Sequence, residues 1–228
     1  MAYRMPTRPL PVLRSGDRLT RTEFERRYDA MPGLKRAELI DGTVYVASPV
    51  NHRYHGGPHS LLAGWLWDYV TATPGLGMGD NSSVRFDEDN MPQPDALLRQ
   101  PEHAGGRSRI DADGYLTGAP ELIVEVAASS VSYDLHQKFE VYRRSGVREH
   151  VVHRTEDEAV DWFVSRDGRY LRQEPAADGC YRSSGFPGLW LDVTAVLRGD
   201  RQALRAAVQR GLATPEHAAF ANGLAAGG

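Results

Sequence analysis

Three side chains sit where packing alone does not call for them. Asp95 follows Pro94 at the head of a short apolar run, and Glu125 lies inside ELIVEVAA (121–128), the most apolar stretch of the chain. That stretch reads as a central strand buried on both faces, with Glu125 on the face of Ile123 and Ala127. A carboxylate there is strongly disfavoured unless paired, protonated or bound to a metal. Lys138 is similarly out of place. Leu135, Phe139 and Tyr142 define one face of a helix predicted from Asp134 to near Gly146, and at ~100° per residue Lys138 lies about 65° from that face's centre. Two acids and a lysine aimed at one point are the parts needed for metal-assisted phosphodiester hydrolysis. The acids hold a divalent cation that polarises the phosphate and activates a water; the lysine stabilises developing charge or orients the nucleophile.

Magnitudes sharpen the expectation. Two ionised carboxylates about 4 Å apart repel by about 4 kcal/mol at an effective dielectric near 20. One acid is therefore expected to protonate in the absence of a cation, and Mg2+ or Mn2+ to stabilise the fold. On the same ground, Asp95→Asn is expected to melt higher than wild type without metal. The plainer alternatives are a turn cap at Asp95, an ion pair from Glu125 to a core-edge Arg or Lys, and an i,i+4 pair of Lys138 with Asp134.

His52, His55 and His59 look like a metal cluster at first sight. Gly56-Gly57-Pro58 is expected to interrupt any helix that would align them, and no nearby cysteine or acid completes a zinc set. They read as a loop and helix start beside the pocket, where His55 or His59 could touch a phosphate. No GxSxG nucleophile elbow is present. Arg99, Arg107, Arg109, Arg143, Arg144 and Arg148 form a candidate phosphate-facing set, the alternative being an ordinary solvated face.

The elements that must position these residues follow from periodicity and turn chemistry. Residues 1–18 read as an extended arm. Thr20 and Glu23 form a capping box for a helix reaching about Met31, and Asp41-Gly42 closes a hairpin over 37–47. Leu61, Leu62, Trp65, Leu66 and Tyr69 predict a buried helix at about 58–71. Short strands are expected at 82–87 and 94–99, a long loop over 100–118, the central strand at 121–128 and another strand at 148–153. Asp167-Gly168 marks a further hairpin, followed by a C-terminal strand and an Ala-rich helical tail from 201 whose end, 223–228, is expected to be disordered. The class is mixed α/β, with one domain over 19–200.

The chain of 228 residues carries a net charge of −3, which excludes a protein that coats phosphates over its whole surface; a basic footprint must be local. Its one cysteine, Cys180, forms no internal disulfide, which fits the cytoplasm. No apolar run approaches the ~20 residues of a membrane span, and the N-terminus does not read as a signal peptide.

The order of these features is recognisable. The ELIDG hairpin (Glu38 to Gly42) comes first, then Ser48-Pro49 ahead of the histidine-bearing segment and Pro94-Asp95. APELIVEV (Ala119 to Val126), the series Asp134, Lys138, Tyr142 and Gly146, and FPGLWLD (Phe186 to Asp192) follow. Together, over roughly residues 19–197, they resemble the Uma2 family of restriction-endonuclease-like proteins with a PD-(D/E)XK nuclease fold. The resemblance implies a restriction-endonuclease-like α/β core, a mixed sheet flanked by helices, with extra hairpins and a helical tail. It implies Asp95 and Glu125 as Mg2+ or Mn2+ ligands with the Val126 backbone carbonyl, Lys138 as the motif lysine moved to the following helix, and Glu38 as an accessory acid. It further implies an endonuclease acting on DNA, with RNA as an open alternative, as a homodimer. The sequence departs from the pattern twice: Ala127 stands where the strand lysine is usual, and Ala127-Ala128-Ser129-Ser130 replaces a Ser-Pro turn. The missing strand lysine motivates a second reading, a weakly active or inactive nuclease fold that binds nucleic acid or a protein partner.

Overall fold

The computed structural model describes residues 10–128 and 136–226. Thr20 accepts a hydrogen bond from the Glu23 N–H and starts α1 (Arg21–Asp29). Asp41 and Gly42, both at positive φ (49° and 69°), close β1 (Ala37–Ile40) onto β2 (Thr43–Val46). Ala37 and Leu39 pack with Leu13 and Phe24 in a small core under α1. Strand alternation sends Ile40, and Glu38 with it, to the other side. Residues 10–18 lie against the hairpin through hydrogen bonds such as Gly16 N to the Val44 carbonyl.

A π-helical turn, His52–Gly56, runs directly into α2 (Gly57–Ala72). The expected interruption at Gly56-Gly57-Pro58 does not occur, because Pro58 falls in the first turn of α2, where no N–H is required. The remaining strands are β3 (Gly77–Asp80), β4 (Val84–Arg85), β5 (Ala96–Arg99), β6 (Arg107–Ile110), β7 (Leu116–Ala119), β8 (Leu122–Ala127), β9 (Glu149–Arg154), β10 (Ala159–Arg166), β11 (Arg169–Gln173), β12 (Cys180–Arg182) and β13 (Trp190–Asp192). The helices are α3 (Lys138–Ser145), α4 (Val193–Arg198), α5 (Arg201–Leu212) and α6 (Pro215–Ala225).

The main sheet has the order β11-β10-β9-β8-β5-β3. Within this sheet only β8 and β9 pair in parallel, and α3 lies in the crossover that a parallel pair requires. Alternation along β8 divides the molecule into layers. Leu122, Val124 and Val126 face the larger core with Trp65 and Leu66 of α2 and Val208 of α5, whereas Ile123 packs with Val141 and Tyr142 of α3. The FPGLWLD segment docks on α2, with Trp65 Nε1 donating to the Trp190 carbonyl at 2.9 Å and the Tyr69 hydroxyl to that of Pro187 at 2.8 Å. No described helix is long and apolar enough to cross a membrane.

Three expectations are corrected here. The stretch 100–118 is a hairpin of β6 and β7 completing a three-stranded sheet with β4, not a loop. Its turn is tied by Asp111, whose side chain accepts from the N–H groups of Asp113 and Tyr115 and the Thr117 hydroxyl. The strand β3 was not foreseen at all, because Gly77 and Gly79 lower strand propensity; Arg99 and Leu97 of β5 fill the space their side chains would take. The tail stays helical through Ala225, with Leu224 buried, so disorder does not begin at 223; residues 227–228, like the predicted cap at Asp134, lie outside the described residues.

Candidate active site

The register of the main sheet brings the two acids together. Ala96 pairs with Val124 and Leu97 with Ile123. Asp95 sits just before β5, one step beyond that ladder and opposite Glu125. By alternation both acids share the face of Leu97 and Ile123, the one covered by α3. Each is about 1% exposed. From α3, Lys138 and Tyr142 stand four residues apart on one helix face and meet the same carboxylate oxygen. Lys138 Nζ lies 3.0 Å from Glu125 Oε1, and the Tyr142 hydroxyl donates to that oxygen at 2.6 Å. The ammonium also lies 2.9 Å from Glu38 Oε1, which accepts from the Gln93 N–H at 2.7 Å. Lys138 therefore joins Glu38 and Glu125, and its i,i+4 candidate Asp134 lies outside the described residues.

Asp95 has its own set of donors. Arg36 Nη1 donates to Oδ1 at 3.0 Å, the Val126 N–H to Oδ2 at 2.8 Å, and His55 Nε2 lies 3.3 Å from Oδ2. Burial by itself opposes ionisation. The His55 hydrogen bond and the charges of Arg36 and Lys138 outweigh it and hold the Asp95 carboxyl far below the usual carboxylate range. Of the two acids, Asp95 is therefore not the one to protonate without a metal, because Arg36 and Lys138 supply positive charge beside it. Burial likewise works against the charge of Arg36, but Asp95, Glu38 and Glu125 raise its pKa above the ordinary value. Burial, with Glu125 beside it, pushes the Tyr142 hydroxyl well above 10.

Arg36, Glu38, His55, Asp95, Glu125 and Lys138 line one cavity of about 660 Å³. Burial of an acid does not by itself mark this site. Glu121 is equally buried, yet accepts the N–H groups of Gln100 and Arg107. Glu149 accepts from Trp162, Ser183, Ser184 and Gly185. Both are closed structural knots. What distinguishes Glu125 is a lysine and a tyrosine as partners at the wall of a cavity.

Arg36 and Tyr142 were missed as site residues. Each had a signal: Arg36 precedes Glu38 by two residues in an extended segment, and Tyr142 follows Lys138 by four on the helix. His55 reaches the site because the helix is unbroken. His59, one turn on, bonds Asp80 Oδ1 at 2.8 Å and the Asp95 carbonyl at 3.0 Å instead. Of the proposed arginine set, Arg99, Arg107, Arg143 and Arg144 are committed to bonds with Ser108, Gly146, Glu140 and Asp41.

The donor set suits a hard divalent cation, since the acids offer oxygen only. Among the described residues no three His, Cys, Asp or Glu side chains are grouped to enclose an ion. Two carboxylates, a backbone carbonyl and water form the kind of shell that Mg2+ accepts and zinc does not favour.

A sequence model of the Uma2 family, described as "Putative restriction endonuclease", matches residues 21–194. The solved structure of a "putative nuclease belonging to DUF820" from Anabaena variabilis is similar in fold, with a TM-score of 0.54 at 14% identity, over 72% of this chain and 90% of that one. No curated protein matches. The architecture, a mixed sheet flanked by helices, is the restriction-endonuclease-like fold.

Proposed function

The chain belongs to the Uma2 family, and from that premise we propose that it is a metal-dependent endonuclease hydrolysing phosphodiester bonds in DNA. Nucleases of this fold generally use divalent metals. The observation that carries the reading is one ammonium bridging two acids, Glu125 at 3.0 Å and Glu38 at 2.9 Å, on the same sheet face as Asp95.

Asp95, Glu125 and the Val126 carbonyl would hold Mg2+ or Mn2+, and the bound ion would polarise the scissile phosphate and lower the pKa of a water. The protein's own groups do the rest. Tyr142 holds Glu125 in one rotamer. Glu38 and Glu125 hold Lys138 between them, so its Nζ can orient a water or balance charge on the phosphate oxygens. Arg36 keeps Asp95 ionised and ready to bind a cation. In this reading Lys138 replaces the lysine that Ala127 lacks, which is what favours catalysis over a binding-only fold.

Plasmid, single-stranded DNA and RNA incubated with Mg2+ or Mn2+ test the proposal. Wild type is expected to nick plasmid, and as a homodimer with paired centres to linearise it, while Glu125→Ala leaves it intact. RNA degraded in place of DNA would reassign the substrate. If wild type cuts none of the three, or Glu125→Ala cuts as well, the hydrolytic reading is wrong.

A further inference from the structure

An acidic cleft repels the polyanion it is meant to cut, so the strand needs a cationic anchor elsewhere. The arginines nearest the cleft in sequence are largely tied into the fold. A second cavity, of about 370 Å³, supplies what they lack. Tyr54 lines both this cavity and the first. Its walls come from the π-helical turn, the start of α2, the end of β9 and the junction of α4 with α5.

Arg53, Arg198 and Arg201 line this cavity. Among the described residues none of the three has an ion pair or a side-chain hydrogen bond; Arg53 only rests over the Tyr54 ring at 5.4 Å. Arg21, Arg26, Arg27, Arg36 and Arg85, by contrast, each hold a carboxylate. One acid, Glu158, shares the lining, so the formal charge of the four groups is positive. The wall also carries His153, which is 5% exposed and whose Nδ1 has no partner. A buried ring nitrogen left unbonded costs stability. His150, both of whose ring nitrogens lack a partner, is enclosed by aromatic rings, whereas His153 lines the cavity. Burial lowers its pKa to about 4, so at neutral pH it acts as an uncharged donor or acceptor.

We propose that this cavity binds a phosphate group of the nucleic-acid strand whose neighbouring phosphodiester enters the acidic cleft. The inference rests on the nuclease reading for the identity of the strand, and on the cavity's own residues for the phosphate. The group could be an internal phosphodiester or a terminal 5′-phosphate; both present the same oxygens to the guanidiniums.

Arg198→Gln combined with Arg201→Gln changes two exposed side chains and leaves the cleft untouched. Anisotropy of a labelled short DNA duplex measures binding, without divalent metal, over a series of salt concentrations. The double variant is expected to bind about tenfold more weakly, and its plot of log affinity against log salt to be less steep by about 1. His153→Gln is expected to weaken binding without changing that slope. Hydrolysis of bis(4-nitrophenyl) phosphate, too small to span both cavities, stays at the wild-type rate in all variants. Duplexes with a 5′-phosphate or a 5′-hydroxyl separate the two sources: an internal site loses affinity for both, a terminal site only for the phosphorylated one. Wild-type affinity and slope in the double variant overturn the inference, as does a wild type that binds no duplex, single strand or RNA. If wild type fails to cleave yet the double variant loses affinity, the nuclease reading falls and the phosphate pocket stands.

Discussion

Asp95 shows how a residue's partners reverse an argument made from its type. Considered only as one of two neighbouring acids, it is a source of repulsion. Arg36, His55 and the Val126 N–H convert it into a well-supported group of the site. We therefore expect Asp95→Asn to destabilise the protein by about 1–3 kcal/mol at pH 7, the reverse of the expectation from repulsion. The pH dependence has a definite sign. A carboxyl whose folded pKa lies below its unfolded value of about 3.9 stabilises the fold above that value and loses this contribution as pH falls. Urea unfolding of wild type and variant is expected to show a gap that is full above about pH 5 and narrows towards pH 2. A variant as stable as wild type at pH 7 would contradict this account of Asp95.

At the scale of elements, β8 and α3 carry the site, and both were legible. The apolar run around Glu125, the helical spacing of Lys138 and Tyr142, and the Asp41-Gly42 and Asp167-Gly168 turns are local signals that survive in the fold. What was hidden depends on contacts distant in the chain. The strand β6 (RSRI) buries only Ser108 and so has no apolar face to read. Gly56-Gly57-Pro58 stays helical because the His52–Gly56 turn feeds it from the N-terminal side. The pairing of Asp95 with Arg36 spans 59 residues, and no local pattern announces it.

The strand β9 adds a further consequence, because its two buried histidines are held neutral. Burial lowers the pKa of His150 to about 3 and of His153 to about 4. Since these folded values lie below the unfolded value of about 6.5, the unfolded chain binds protons first as pH drops. Stability should then fall between about pH 6.5 and 4, by up to about 1.4 kcal/mol per pH unit for each histidine. His150 sits among Phe139, Tyr142, Phe163 and Tyr170, a setting that suits a phenylalanine. His150→Phe is expected to give a shallower loss of stability over that range in denaturant titrations. An unchanged slope would show that His150 does not drive the acid sensitivity.

Over the whole molecule, the six-stranded sheet separates two jobs. One face, with α2 and α5, holds the larger core; the other, with α3 and the β1–β2 hairpin, gathers the ionisable groups around a cavity. This division lets a protein of net charge −3 concentrate acids in one cleft and, in another, arginines that have no ion pair among the described residues. In the proposed site Lys138 would stand in for the strand lysine, and its ammonium meets Glu125 from the helix. Single-turnover cleavage of a DNA duplex by Lys138→Met, with Mg2+ saturating and folding verified by circular dichroism, bears most directly on that arrangement. The account predicts a rate at least about 100-fold below wild type. A folded Lys138→Met protein that cuts at the wild-type rate would contradict it.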